Sequence, residues 1–233
     1  MTSISANLQA VRERVAAAAI AAGRRPDEVA LLAVSKTWPA SCVAQAAAAG
    51  QRLFGENYVQ EGVAKIGELQ AQGLEWHFIG PLQSNKTRLV AERFDWVHSV
   101  DRLKLAERLS EQRDASLPPL NLCIQVNVSG EASKGGVAPA EAATLAIAVA
   151  ALPRVRVRGL MCIPEPDGDE ALLRERFATL RRLRDALNAD GLALDTLSMG
   201  MSHDLEAAIA EGATMVRVGT AIFGARSVRE GQT

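Results

Sequence analysis

The chain has 233 residues, 48% of them hydrophobic and 23% charged, and its 26 Lys+Arg against 27 Asp+Glu leave a formal net charge of -1. Such a composition supports a sizeable packed core rather than a disordered chain, and the near-neutral balance argues against a nucleic-acid partner. No apolar run reaches membrane-helix length, and Arg12, Glu13 and Arg14 interrupt the first apolar segment before a signal sequence could form; no membrane association and a cytoplasmic location are expected.

Ile4, Leu8, Val11, Val15 and Ala19 recur at spacings of three and four, which predicts an opening helix with one apolar stripe. Gly23 supplies its stop and Pro26 lies just beyond. The continuous apolar run 29–34 then reads as a strand buried on both faces. Further strand-like runs fall at 52–54, 76–79, 95–98, 120–128, 157–163, 196–199 and 215–218. Helical stretches are predicted over 40–49, 58–70, 84–93, 102–113, 140–150, 170–188 and 203–210. About eight βα units without a linker predict an α/β protein, a single (β/α)8 TIM-type barrel over residues 1–233 with an extra N-terminal helix. An open doubly wound sheet would want a GxGxxG turn after its first strand, and Ser35-Lys36-Thr37-Trp38-Pro39 is not one.

In such barrels the chemistry gathers where strands end. Lys36 follows the first strand, and desolvation there would lower its pKa and make it a Schiff-base nucleophile. Alone, a lysine snorkelling to solvent is the plainer reading. After the last strand come Gly219 and Thr220, suited to close backbone approach and to a phosphate at a helix start. The preceding unit ends in Ser198-Met-Gly-Met201-Ser202, with Ser202 a candidate N-cap for a helix from His203. Tight turns with caps explain these pieces equally well. Arg217 interrupts an apolar strand and faces either the barrel centre, where a cofactor ring nitrogen could accept from it, or the helical layer in a structural ion pair. Asn57, after the second strand, either bonds a ligand or caps the next helix. A lysine, a phosphate cradle and an arginine across one barrel mouth form the set a pyridoxal phosphate site requires.

Other features carry less. Cys42, Cys123 and Cys162 form no CxxC pair and read as reduced, mostly buried thiols. The three histidines His77, His98 and His203 show no HxH or HExxH spacing, so no metal is expected; His77 and His98 read as hydrogen-bonded imidazoles on strands. The loop 129–136 lacks the Walker A order, and its Lys134 is a candidate for loading or releasing a ligand. The run 154–158 predicts a strand start with its arginines in solvent, and Arg181, Arg182 and Arg184 a charged helix face.

The motifs Ala33-Val-Ser-Lys36, Phe54-Gly-Glu-Asn57, His77-Phe-Ile-Gly-Pro-Leu-Gln-Ser-Asn-Lys86, Ser198-Met-Gly-Met-Ser202 and Arg217-Val-Gly-Thr220-Ala-Ile-Phe-Gly224 together resemble the pyridoxal phosphate homeostasis proteins, the YggS/PROSC family. The resemblance runs from the first helix to about Arg226. It implies a barrel similar to the alanine racemase N-terminal domain, standing alone, that binds pyridoxal 5′-phosphate (PLP) and stores and supplies it without established turnover. By that likeness Lys36 carries the Schiff base and Arg217 meets the pyridine nitrogen. Ser202, Gly219 and Thr220 hold the phosphate, and Asn57 and Met201 line the pocket. No catalytic residue is assigned. Apo forms of PLP-dependent enzymes are the expected recipients and a monomer the expected state; an amino-acid racemase is the alternative.

Overall fold

The computed structural model describes residues 3–131, 135–165 and 169–225. Eight strands, β1 (Ala30–Val34), β2 (Leu53–Glu56), β3 (Glu75–Phe78), β4 (Trp96–Val100), β5 (Leu120–Gln125), β6 (Val155–Met161), β7 (Thr196–Ser198) and β8 (Met215–Val218), close into one parallel barrel in sequence order. Closure is made by β8 against β1, with Leu32 opposite Arg217 and Ala33 opposite Val218. The expected (β/α)8 architecture is what the chain adopts.

Helices α1 (Ile4–Ala21), α2 (Ala40–Ala48), α3 (Val59–Glu68), α4 (Thr87–Arg93), α5 (Leu103–Gln112), α6 (Pro139–Ala150), α7 (Glu170–Ala189), α8 (Leu205–Ala210) and α9 (Thr220–Phe223) surround it. The spacing of apolar positions explains their seating. On α1, Leu8, Val11, Val15 and Ala19 are buried on one stripe, and the Ser3 hydroxyl caps the helix by accepting from the Ala6 amide at 3.1 Å. On α5 the buried set is Leu105, Ala106 and Leu109.

Alternation along the strands divides the core in two. Ala33, Phe54, Phe78, Val97, Leu122, Leu160, Leu197, Val216 and Val218 point outward and join the helices in one large apolar cluster. The lumen holds two smaller apolar groups, Leu32, Val34, Ile79 and Met215 in one and Trp96, Cys123 and Met161 in the other. Between them lies a polar stratum that sequence periodicity does not anticipate.

Two expectations need correction. The α8 helix begins at Leu205, not 203, because the Asp204 carboxylate closes the turn by accepting from the Met201 amide at 2.5 Å; Ser202 therefore lies in a turn and is not the cap. On β6 only Arg156 points fully to solvent, since Arg158 pairs with Asp195 at 2.6 Å and lies 4.8 Å over the Trp96 ring, covering the lower end of the lumen. Arg182 and Arg184 pair with Glu175 and Asp185 on the α7 surface, whereas Arg181 reaches Glu211 beyond α8 at 3.1 Å.

Candidate functional site

A cavity of about 220 Å³ opens at the C-terminal ends of the strands. Lys36, Asn57, Met201, Ser202, Arg217, Gly219 and Thr220, drawn from four different strand ends, all line it. The remaining walls are Val34, Trp38, Ile79, Ile163, His203 and Gly224, which sequence reasoning did not assign to the site. Trp38 stacks on Phe223 of α9 with ring centroids 6.1 Å apart. Val34, Ile79 and Gly224 lie inside the motifs quoted above and His203 three residues beyond Gly200, whereas Trp38 and Ile163 are ordinary barrel composition and carry no such signal.

Lys36 projects from a tightly held turn. The Ser35 hydroxyl donates to Glu56 at 2.6 Å, and the Lys65 ammonium on α3 bonds the Ser35 carbonyl at 2.7 Å, Glu56 at 2.7 Å and Glu61 at 2.6 Å. Glu61 in turn accepts from the Thr37 amide at 2.5 Å. Thr37 has φ +69°, a conformation unfavourable for a residue with a branched Cβ, so the ion cluster fixes a turn the backbone would not choose. Burial pushes the Glu56 carboxyl up from its ordinary value, while Lys65 and Ser35 pull it back.

Asn57 is placed by backbone contact. A Cβ on Gly80 would come within 2.3 Å of the Asn57 carbonyl oxygen, so only glycine lets the β3 end approach so closely. The helix α3 begins without a side-chain cap and Asn57 Oδ1 is buried with no partner among the described residues, so the capping alternative is not realised. Because an amide can be turned over, this group can offer a ligand an acceptor or a donor.

Arg217 faces the barrel centre and is 4% exposed. Its Nη1 donates to the Ser198 carbonyl at 2.6 Å and the Ser198 hydroxyl at 2.8 Å, and its Nη2 donates to the Cys162 carbonyl at 2.8 Å. Burial lowers its pKa, yet a guanidinium stays protonated. Of its five N–H donors, two have no acceptor among the described residues, and the side chain borders the cavity. A buried cation with unused donors is costly unless something accepts from them.

The loops carrying Ser202 and Gly219-Thr220 are tied down by α1. Arg14 Nη1 donates to the Ser202 carbonyl at 2.7 Å and its guanidinium pairs with Glu206 at 2.5 Å, while the Asn7 amide donates to the Ile222 carbonyl at 3.0 Å. Gly200, at φ +92° with a would-be Cβ 2.6 Å from the Ala208 side chain, permits the sharp departure of the chain from β7. Lys134 lies outside the described residues. Burial pushes the Cys123 and Cys162 thiols up to about 12, which fits the expectation of unreactive thiols.

The alanine racemase N-terminal domain model matches residues 6–227. A pyridoxal phosphate homeostasis protein from Pseudomonas aeruginosa is 63% identical over 226 residues, covering 97% of each chain, and one from Escherichia coli K12 is 59% identical over 232 residues, covering 97% of this chain and 98% of the relative. The solved structure of PipY from Synechococcus elongatus with PLP bound is 40% identical, covers 95% of this chain and 100% of its own, and superposes with a TM-score of 0.83. With the barrel, the cavity and these likenesses together, the chain belongs to the pyridoxal phosphate homeostasis family, within the wider group that shares the alanine racemase N-terminal domain.

Proposed function

We propose that the chain binds PLP in this cavity and serves intracellular PLP homeostasis by holding and supplying the cofactor, without catalytic turnover. The observation that carries the reading is Arg217: a buried cation with two donors unused among the described residues, lining the same cavity as Lys36, Ser202, Gly219 and Thr220. Asn57 Oδ1, buried without a partner among the described residues, fits the same conclusion, since a ligand with polar groups at both ends of a flat ring satisfies both. When bound, PLP supplies an aldehyde that condenses reversibly with a primary amine and a ring that withdraws electrons.

The chain's residues then divide the work. Lys36 offers the amine from its fixed turn. Ser202, Gly219 and Thr220 give donors for the phosphate at the start of α9, where the first N–H groups of a helix lack internal acceptors. Asn57 and Met201 form side walls. Arg217 donates to the ring nitrogen and, being only a donor, keeps that nitrogen unprotonated, which makes the ring a weak electron sink. Racemisation would further need an acid or base on the face opposite Lys36. The chain's one tyrosine, Tyr58, is exposed and lies outside the cavity lining. The reading takes residues 1–233 as one domain, monomeric and cytoplasmic, with apo PLP-dependent enzymes as recipients.

The test is to load the purified protein with PLP, reduce it with borohydride and map the adduct by mass spectrometry. A yellow protein modified at Lys36, with the adduct lost in Lys36→Ala, is expected. Transfer to an apoenzyme, timed against an equal concentration of free PLP, then measures supply. Failure to take up PLP would overturn the reading. Sustained racemisation of single amino-acid enantiomers, lost in Lys36→Ala, would replace it with an amino-acid racemase.

A further inference from the structure

A chain of hydrogen bonds crosses the lumen beneath Arg217 and leaves the barrel at its other end. Arg217 on β8 donates to the Ser198 hydroxyl on β7 at 2.8 Å, and that hydroxyl meets His98 Nδ1 on β4 at 2.8 Å. His98 Nε2 lies 2.9 Å from His77 Nδ1 on β3, and His77 Nε2 lies 2.9 Å from the Glu75 carboxylate. Ser198, His98 and His77 are fully buried, whereas the Glu75 side chain is 45% exposed at the start of β3, the end of the barrel away from the cavity.

The two ends of this chain dictate its sense. A carboxylate only accepts, so His77 must carry its proton on Nε2 and accept at Nδ1. His98 must then donate from Nε2 and accept at Nδ1, and the Ser198 hydroxyl must give its hydrogen to His98. The Ser198 oxygen is left to accept, and Arg217, which can only donate, supplies that bond. With both imidazoles neutral, one arrangement satisfies every link, and it runs donor to acceptor from the guanidinium to the carboxylate.

We propose that Ser198, His98, His77 and Glu75 form a polarised relay of positioning residues that sets the orientation of Arg217 in the cavity and couples it to the charge of Glu75 on the opposite barrel face. The inference rests on the PLP reading of the cavity. A proton added at His77 Nδ1 would face the His98 N–H, force His98 into its other tautomer and turn the Ser198 hydroxyl away. A proton added at His98 would place a second cation one hydroxyl from the guanidinium. Either event disturbs Arg217. The charged and titratable groups around the pair are Glu75 and Asp95 at the lower end, Arg158 with Asp195 beside Trp96, Arg217 above, and the thiols of Cys123 and Cys162, which burial keeps protonated. Trp96 stacks on His77 at 5.2 Å, holding the ring in plane for its two bonds.

Two readouts test the relay. Nitrogen-15 NMR of the protein without PLP, assigned by substituting the three histidines one at a time, should show His77 and His98 as neutral Nε2–H tautomers at pH 7. Finding either in the Nδ1–H form or protonated would overturn the proposal. In the loaded protein, Ser198→Ala should raise the PLP dissociation constant about tenfold and shift the pH profile of the bound chromophore's absorption, with Ser198→Thr restoring both. Glu75→Gln, on the far face, should leave the melting temperature near that of the parent but move the same pH profile. Loaded Ser198→Ala and Glu75→Gln proteins with the parent's spectrum, pH profile and affinity would also overturn it. A parent that takes up no PLP would defeat the proposed function instead, and the relay would then be decided by the NMR result.

Discussion

Lys65 shows how much burial changes the worth of a local pair. An exposed i,i+4 pair such as Glu61 and Lys65 could form on a helix surface is worth a few tenths of a kcal/mol. In the fold the Lys65 side chain is 4% exposed and balances Glu56, which is fully buried. Removing one partner of such a pair strands the other charge, at a cost of about 3–5 kcal/mol. Lys65→Met should therefore lose stability on that scale in urea unfolding, and adding Glu56→Gln should recover part of it. Because the cluster also holds the Ser35-Lys36-Thr37 turn, the single variant should retain PLP less well than its stability loss alone would produce. Spacing marks only the Glu61–Lys65 pair; the bonds to Ser35 and Glu56 form when α3 packs on the ends of β1 and β2.

At the scale of elements, the strand ends were legible and their consequences largely so. Lys36, Asn57, Met201, Ser202, Arg217, Gly219 and Thr220 follow or end strands that hydrophobic runs and family motifs locate, and all seven meet in one cavity. What escaped was contact between distant elements. His98 and Ser198 are 100 residues apart, and nothing local links them. The start of α8 differs from the expected one because Asp204 spends its carboxylate on the Met201 amide in the turn before the helix, a contact that the capping preference of Ser202 does not reveal. The N-terminal helix, expected as an addition to the barrel, also holds the segments that carry Ser202 and Thr220 into the cavity wall. Arg14→Ala removes its bonds to Ser202 and Glu206, which are partly exposed, so a stability loss of about 1 kcal/mol is expected. PLP affinity, measured by equilibrium titration, should fall severalfold with no change in the Lys36 adduct.

For the whole molecule, the polar stratum in the lumen makes stability depend on pH. Burial lowers the pKa of His77, and burial with the neighbouring His77 and Arg217 holds His98 well below its ordinary 6.5. The unfolded chain takes up these protons near pH 6.5 and the folded one does so only at lower pH. The unfolded state thus binds more protons as the pH falls, and stability drops by about 1.4 kcal/mol per pH unit for each histidine kept neutral. Unfolding midpoints should be flat above about pH 7 and decline below about 6.5. The decline should be shallower in His98→Asn, and the difference between parent and variant separates this effect from Glu56 and Asp95, whose raised pKa values act with the opposite sign.

The stack of Trp38 on Phe223 has an optical consequence. The chain has three tryptophans; Trp76 and Trp96 are 4% and 5% exposed and lie outside the cavity lining, whereas Trp38 forms part of its wall. The indole at the rim is the one whose immediate contacts a ligand alters. The protein therefore carries an intrinsic fluorescent gauge of its own occupancy, readable without a label and independent of any recipient enzyme.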